Sequence, residues 1–124
     1  MAAIDDNHIL RRAILVAAAI FGACGVMAAA ASSHGENVRN LSAIATIGLA
    51  HGPALLALGL AGRGRLMLMA GAVLALGTLM FISDLAMREW AGQGLFTGAA
   101  PLGGGAMIAG WVLIGLSVLL PRRG

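Results

Sequence analysis

The sequence predicts an all-α membrane protein, specifically a four-helix transmembrane bundle with short loops. Hydrophobic residues make up 60% of the chain and charged residues only 10%, whereas soluble domains are about 25% charged. Residues 66–82 are apolar apart from Thr78. A helix rises ~1.5 Å per residue, so a run of this kind approaches the ~30 Å needed to cross the hydrocarbon of a bilayer. Three further apolar runs accompany it, and we expect residues 1–124 to form one transmembrane domain.

The four predicted spans cover residues 13–31, 41–60, 66–87 and 102–120. The first run could also be a signal peptide, because it has a basic flank, an apolar centre and small residues at 28–31. Its length and the three spans that follow favour a retained first helix. Pro101 suits the start of the fourth span, where the missing N–H costs nothing.

The arginines predict the orientation. One end of the bundle would carry six of the eight basic residues, and the other end only Arg39 and Arg88. Since short cytoplasmic segments are enriched in basic residues, we expect both termini in the cytoplasm and the protein in a bacterial inner membrane. The arginines do not gather into one patch, so we expect no nucleic-acid partner. The six residues are Arg11, Arg12, Arg63, Arg65, Arg122 and Arg123.

His51 lies at the midpoint of the second span and is the first candidate functional residue. An ionisable side chain at that depth either has a structural role as a neutral ring or handles protons or a ligand. Pro53 removes a backbone donor and frees the carbonyl of Leu49. A structural His51 would bond that opened carbonyl or a neighbouring helix, and Thr46 or Thr78 could serve its other ring nitrogen if the second and third spans are adjacent.

Asp84, near the outer end of the third span, is the second candidate. Arg88 follows four residues later, the spacing at which two side chains meet on one helix face. Asp84 is therefore either an ion-paired residue near the interface or part of a transport path. Its depth differs from that of His51 by ~10 Å at the helical rise, which argues against direct contact between them.

Small residues point to close helix packing. The chain contains 19 glycines in 124 residues, and glycine allows transmembrane helices to approach closely. Gly48 and Gly52 form a GxxxG pair on one face of the second span. Gly103 and Gly110 are the corresponding candidate packing positions in the fourth.

The sequence shows no arrangement typical of catalysis. Cys24 is the single cysteine, and the histidines and carboxylates lack the spacing of a metal site. We find no nucleophile-and-base arrangement and no nucleotide-binding motif. We therefore expect no enzymatic activity, no cofactor and no bound metal.

Several short motifs, taken in order, resemble the small bacterial membrane proteins of the domain-of-unknown-function 423 family, related to the eukaryotic transmembrane protein 256 group. The resemblance implies four spans and a retained first helix, but no mechanism, because the family's activity is unassigned. The motifs are GVMAAAASSH at 25–34, HGPALL at 51–56, LGTLMF at 76–81, SDL at 83–85, APLGGG at 100–105 and AGW at 109–111.

Two classes of function remain open from the sequence. The first is a structural or accessory helix bundle that packs with itself or with a larger membrane complex in the lipid bilayer. It is favoured by the many small residues and the scarcity of intramembrane charge. The alternative is a small proton, ion or solute transporter or channel that uses His51 or Asp84.

Overall fold

The structure is a computed structural model that describes residues 2–121, with side chains from residue 6 onward. These residues form four helices, all long and apolar enough to cross a membrane by length and composition. The predicted all-α class and the four membrane-length helices are therefore confirmed. The helices are α1 (Ala2–Ser32), α2 (Arg39–Ala61), α3 (Arg65–Ala91) and α4 (Ala99–Leu119).

All four helices begin before their predicted spans, and α1 and α3 extend furthest beyond them. α1 begins at Ala2 rather than near residue 13, because the polar segment before the apolar run contains no glycine or proline to interrupt the helix. α3 continues past residue 87 to Ala91 and ends at Gly92, whose φ of 77° is in the left-handed region. Arg122 and Arg123, which contribute to the predicted orientation, lie outside the described residues.

The bundle consists of two helical hairpins, α1 with α2 and α3 with α4. α3 packs against all three other helices, whereas the backbones of α1 and α4 do not meet in the described part of the chain. The backbones of α2 and α4 make no close approach in the described part of the chain. We call the end that carries Arg11, Arg12, Arg63 and Arg65 the arginine-rich end.

The first hairpin is held by direct contact between the α1 and α2 backbones. A Cβ at Gly48 would lie 2.8 Å from the Phe21 carbonyl oxygen and 3.0 Å from the Gly25 Cα. A Cβ at Gly52 would lie 3.0 Å from the Gly22 nitrogen. Backbone atoms cannot move aside as a flexible side chain can, so these positions require glycine.

The second hairpin uses the same device. A Cβ at Gly103 would lie 2.8 Å from the Gly77 carbonyl oxygen, and a Cβ at Gly77 would lie 2.8 Å from the Met107 nitrogen. Further along the helix, a Cβ at Gly110 would meet the Leu74 Cα at 3.1 Å. The structure thus places all four of the predicted packing glycines against a neighbouring helix.

Arg11 fastens the arginine-rich end of the first hairpin. Its guanidinium donates hydrogen bonds to the carbonyl oxygens of Gly62, at 2.6 Å, and Gly59, at 3.4 Å. Carbonyls at a helix C-terminus lack partners within the helix and carry partial negative charge. Arg11 therefore caps the C-terminus of α2 in addition to any part it has in orientation.

We predict that Gly48→Ala lowers the free energy of unfolding by about 1–3 kcal/mol, the usual cost of overpacking. The added methyl group would force the α1 and α2 backbones apart. Thermal unfolding in detergent, followed by circular dichroism, measures the change.

Gly115→Ala is the matched control, because a Cβ at this position of α4 meets nothing within 4 Å. Its melting temperature should equal or exceed that of the wild type, since alanine favours helix over glycine. Equal melting temperatures for the two variants would contradict the close backbone contact.

Candidate functional site

His51 is buried in the middle of α2, with 7% of its surface exposed. Its Nδ1 lies 2.9 Å from the carbonyl oxygen of Ile47, one turn earlier in the same helix. Its Nε2 accepts a hydrogen bond from the indole Nε1–H of Trp111 on α4, at 3.2 Å. The two rings meet edge to face, with centroids 5.9 Å apart.

These partners fix the tautomer of the His51 ring. An indole nitrogen can only donate, so Nε2 must be the unprotonated acceptor. Nδ1 then carries the hydrogen and donates it to Ile47. The neutral ring has both of its polar groups satisfied, and it can take up a second proton only by giving up the Trp111 bond.

His51 bonds a neighbouring helix, one of the two alternatives, but the three partners named from the sequence were wrong. Its side chain reaches Ile47 rather than Leu49, because helical side chains lean toward the N-terminus and meet the residue four positions earlier. Thr46 and Thr78 do not serve the other nitrogen. Their hydroxyls donate within their own helices, to Ser42 at 2.9 Å and Leu74 at 2.7 Å.

Trp111 is the functional neighbour that the sequence analysis missed. Its bond to His51 crosses the gap between α2 and α4, where the two backbones do not meet. A signal was present, since both residues lie near the midpoints of their spans. Trp111 is 47% exposed, but an indole N–H at mid-span has no water to bond, so an acceptor at equal depth on another helix was the candidate to test.

Asp84 is fully buried and forms the predicted pair with Arg88. The Arg88 Nε donates to Oδ2 at 2.8 Å, while the arginine side chain remains 45% exposed. The other carboxylate oxygen, Oδ1, accepts the backbone N–H of Leu95, also at 2.8 Å. Asp84 thus joins α3 to the loop that leads into α4.

The loop at residues 92–98 is shaped around this carboxylate. A Cβ at Gly94 would overlap Asp84 Oδ1 and approach the Arg88 guanidinium. Gly92 and Gly98, at the two ends of the loop, have φ values of 77° and 90°, which favour glycine. The buried charge therefore fixes a loop whose backbone only glycine can follow at these points.

The two candidate residues have no bonding partner in common. His51 bonds α4 near mid-span, and Asp84 bonds the α3–α4 loop. Every buried side-chain nitrogen or oxygen in the described part of the chain has a hydrogen-bond partner. Among these residues, no three histidine, cysteine or acidic side chains come together to hold a metal ion. The geometry is suited to fastening helices.

No model of a known protein family matches this chain, and no curated protein or solved structure matches it. The resemblance to the domain-of-unknown-function 423 family stays a prediction.

We predict that His51→Leu lowers the free energy of unfolding by roughly 1–3 kcal/mol, because the Trp111 N–H loses its acceptor. His51→Gln should remain close to the wild type, since an amide can both donate and accept. Thermal unfolding in detergent measures both changes.

A double-mutant cycle isolates the bond itself. His51→Leu and Trp111→Phe should cost less together than the sum of the single changes, because the second removes a bond already broken. Trp90→Phe is the matched control at a tryptophan that is 75% exposed, and its effect should add to that of His51→Leu. Additive effects at Trp111 would contradict the bond.

Proposed function

We propose that this protein is a structural or accessory membrane bundle that associates with itself or with a larger membrane complex, and that it is not an enzyme. The observation that carries the proposal is that both ring nitrogens of His51 and both carboxylate oxygens of Asp84 have partners within the chain. His51 bonds Ile47 and Trp111, and Asp84 bonds Arg88 and Leu95. Neither ring nitrogen of His51 is left free for a substrate, and the Asp84 carboxylate is held by a cation and a backbone N–H.

Transport through His51 is less well supported by the same contacts. A proton relay needs a ring nitrogen that can exchange its proton with a neighbouring acid, base or water. Trp111 covers Nε2, and an indole N–H is a donor that does not accept protons. Asp84 is held by a cation on its own helix and by a backbone N–H, which favours a positioning role.

The outer face of α4 is the surface that we propose for association. Gly103, Met107 and Gly110 form the buried face of this helix. Gly105 and Ala109, four residues apart, lie on the opposite face and are exposed. A Cβ at Gly105 meets nothing within 4 Å. Two small residues at this spacing let a second helix approach closely.

Large apolar side chains surround these two small residues. Leu102, Ile108 and Val112 are 57%, 68% and 55% exposed. By helical spacing they share one face of α4 with Gly105 and Ala109, and we call this surface the α4 outer face. Such a surface suits a helix of a second copy or of a larger membrane protein.

We further propose a bacterial inner membrane location with the arginine-rich end in the cytoplasm. In the described structure that end carries Arg11, Arg12, Arg63 and Arg65, whereas Arg39 and Arg88 lie at the other end. The bias follows the positive-inside rule. On the motifs given above, we also propose that the chain belongs to the domain-of-unknown-function 423 family.

Association can be tested by energy transfer between labelled copies in liposomes and by purification from native membranes. We predict that labelled copies of the wild type show energy transfer, or that a larger complex co-purifies with the wild type in a fixed ratio. Gly105→Leu and Ala109→Leu should abolish the association while leaving the melting temperature unchanged, because both side chains would project away from the bundle.

Ala19→Leu, at an exposed alanine of α1, is the matched control and should associate normally. The proposal would be contradicted if the protein were monomeric in liposomes and no larger complex co-purified with it from native membranes. So would proton or ion movement by the purified protein in sealed liposomes.

Reporter fusions test the orientation. We predict that a reporter that works only in the cytoplasm is active when fused to the C-terminus. A reporter that works only on the outer side should be active when inserted within residues 92–98. The physical reason is the cost of moving clustered arginines across the membrane. An external C-terminus would contradict the proposed orientation.

A further inference from the structure

A cleft opens at the arginine-rich end of the bundle, beside the start of α3. Its first part, of about 610 Å³, lies between the α2–α3 loop, the first turn of α3 and the C-terminal end of α4, and Arg63 and Arg65 are among the residues that line it. Its second part, of about 350 Å³, is lined by apolar residues of α2 and α4 and reaches Trp111. Met67 lines both parts, so they adjoin at this side chain, and we call the two together the α2–α4 cleft.

The charge of the cleft is confined to its mouth. Arg63 and Arg65 are exposed, and in the described part of the chain neither makes a hydrogen bond or an ion pair with another side chain. No carboxylate is among the residues that line either part. The first turn of α3 faces the same mouth without a side-chain cap at Gly64. Its free N–H groups add to the positive potential.

The interior of the cleft is apolar. Ala54, Ala57 and Ala61 form its α2 wall, and Ile114 faces them from α4. The alanine side chains are small, so they occupy little of the space between α2 and α4. The His51–Trp111 bond lies at its inner end, where Trp111 contributes to the lining.

We propose that the α2–α4 cleft binds one anionic phospholipid, with the phosphate between Arg63 and Arg65 and an acyl chain along the alanines of α2. A phospholipid has a charged headgroup followed by apolar chains, and the cleft has a charged mouth followed by an apolar groove. A cationic mouth lies at the end of the bundle, at headgroup level, and an apolar groove runs inward from it. Basic pockets between transmembrane helices are suited to acidic headgroups. Lipid binding here needs no association through the α4 outer face, so either proposal can fail alone.

The test uses the full-length protein in nanodiscs of phosphatidylcholine mixed with phosphatidylglycerol. Native mass spectrometry after gentle release measures the ratio of the two lipids that stay bound. The wild type should retain phosphatidylglycerol in preference. Arg63→Gln and Arg65→Gln should each lower that preference about fivefold, the effect of ~1 kcal/mol per arginine near an anionic headgroup.

Arg12→Gln is the matched control. Arg12 is exposed at the same end of the bundle but does not line the cleft. Its removal should leave the preference unchanged. An equal loss in the Arg12 variant would show diffuse attraction to the surface and would overturn the proposal, as would an unchanged preference in both cleft variants.

Two further arms separate a lipid from a soluble anion. Ala57→Trp fills the apolar groove while keeping both arginines, and it should abolish retention of the lipid without lowering the melting temperature of the bundle. Soluble glycerol phosphate, added in excess, should displace little lipid because it has no acyl chain. Full displacement by glycerol phosphate, or normal retention in the Ala57 variant, would identify an anion site without a lipid groove and overturn the proposal.

Discussion

Close backbone contact between paired helices is the constraint on which the rest of the structure depends. Inside a bilayer the lipid is as apolar as the side chains, so helices associate through van der Waals packing rather than the hydrophobic effect. Gly48 against Gly25 and Gly103 against Gly77 bring two pairs of backbones together. These contacts leave two firm hairpins, and they leave α2 and α4 apart.

Polar side chains form the contacts that glycine packing does not supply, between α2 and α4 and at the ends of helices. The His51–Trp111 bond crosses the gap between α2 and α4, Asp84 fixes the loop into α4, and Arg11 caps the end of α2. A polar group in a low-dielectric interior is costly unless it is satisfied. Each of these residues meets that requirement through a contact that positions a helix, which is why their presence does not require a transported substrate.

The sequence predicted the helices better than the contacts between them. The apolar run at 66–87 specified a span because length and composition are sufficient for that conclusion. The partners of His51 depend on side-chain direction and on which helices are neighbours, and a linear pattern contains neither. The Asp84–Arg88 pair was predictable because it is local. The contact with Leu95 was not, since it requires the loop conformation that Gly94 permits.

Asp84 and His51 differ in how far along the chain their partners lie, and this bears on assembly during synthesis. Arg88 is 4 residues from Asp84, so the carboxylate can be paired within its own helix as soon as α3 forms. Trp111 is 60 residues from His51. The ring nitrogen of His51 therefore stays without this partner until α4 has been made. Insertion of α4 is the step that joins the second hairpin to the first through His51.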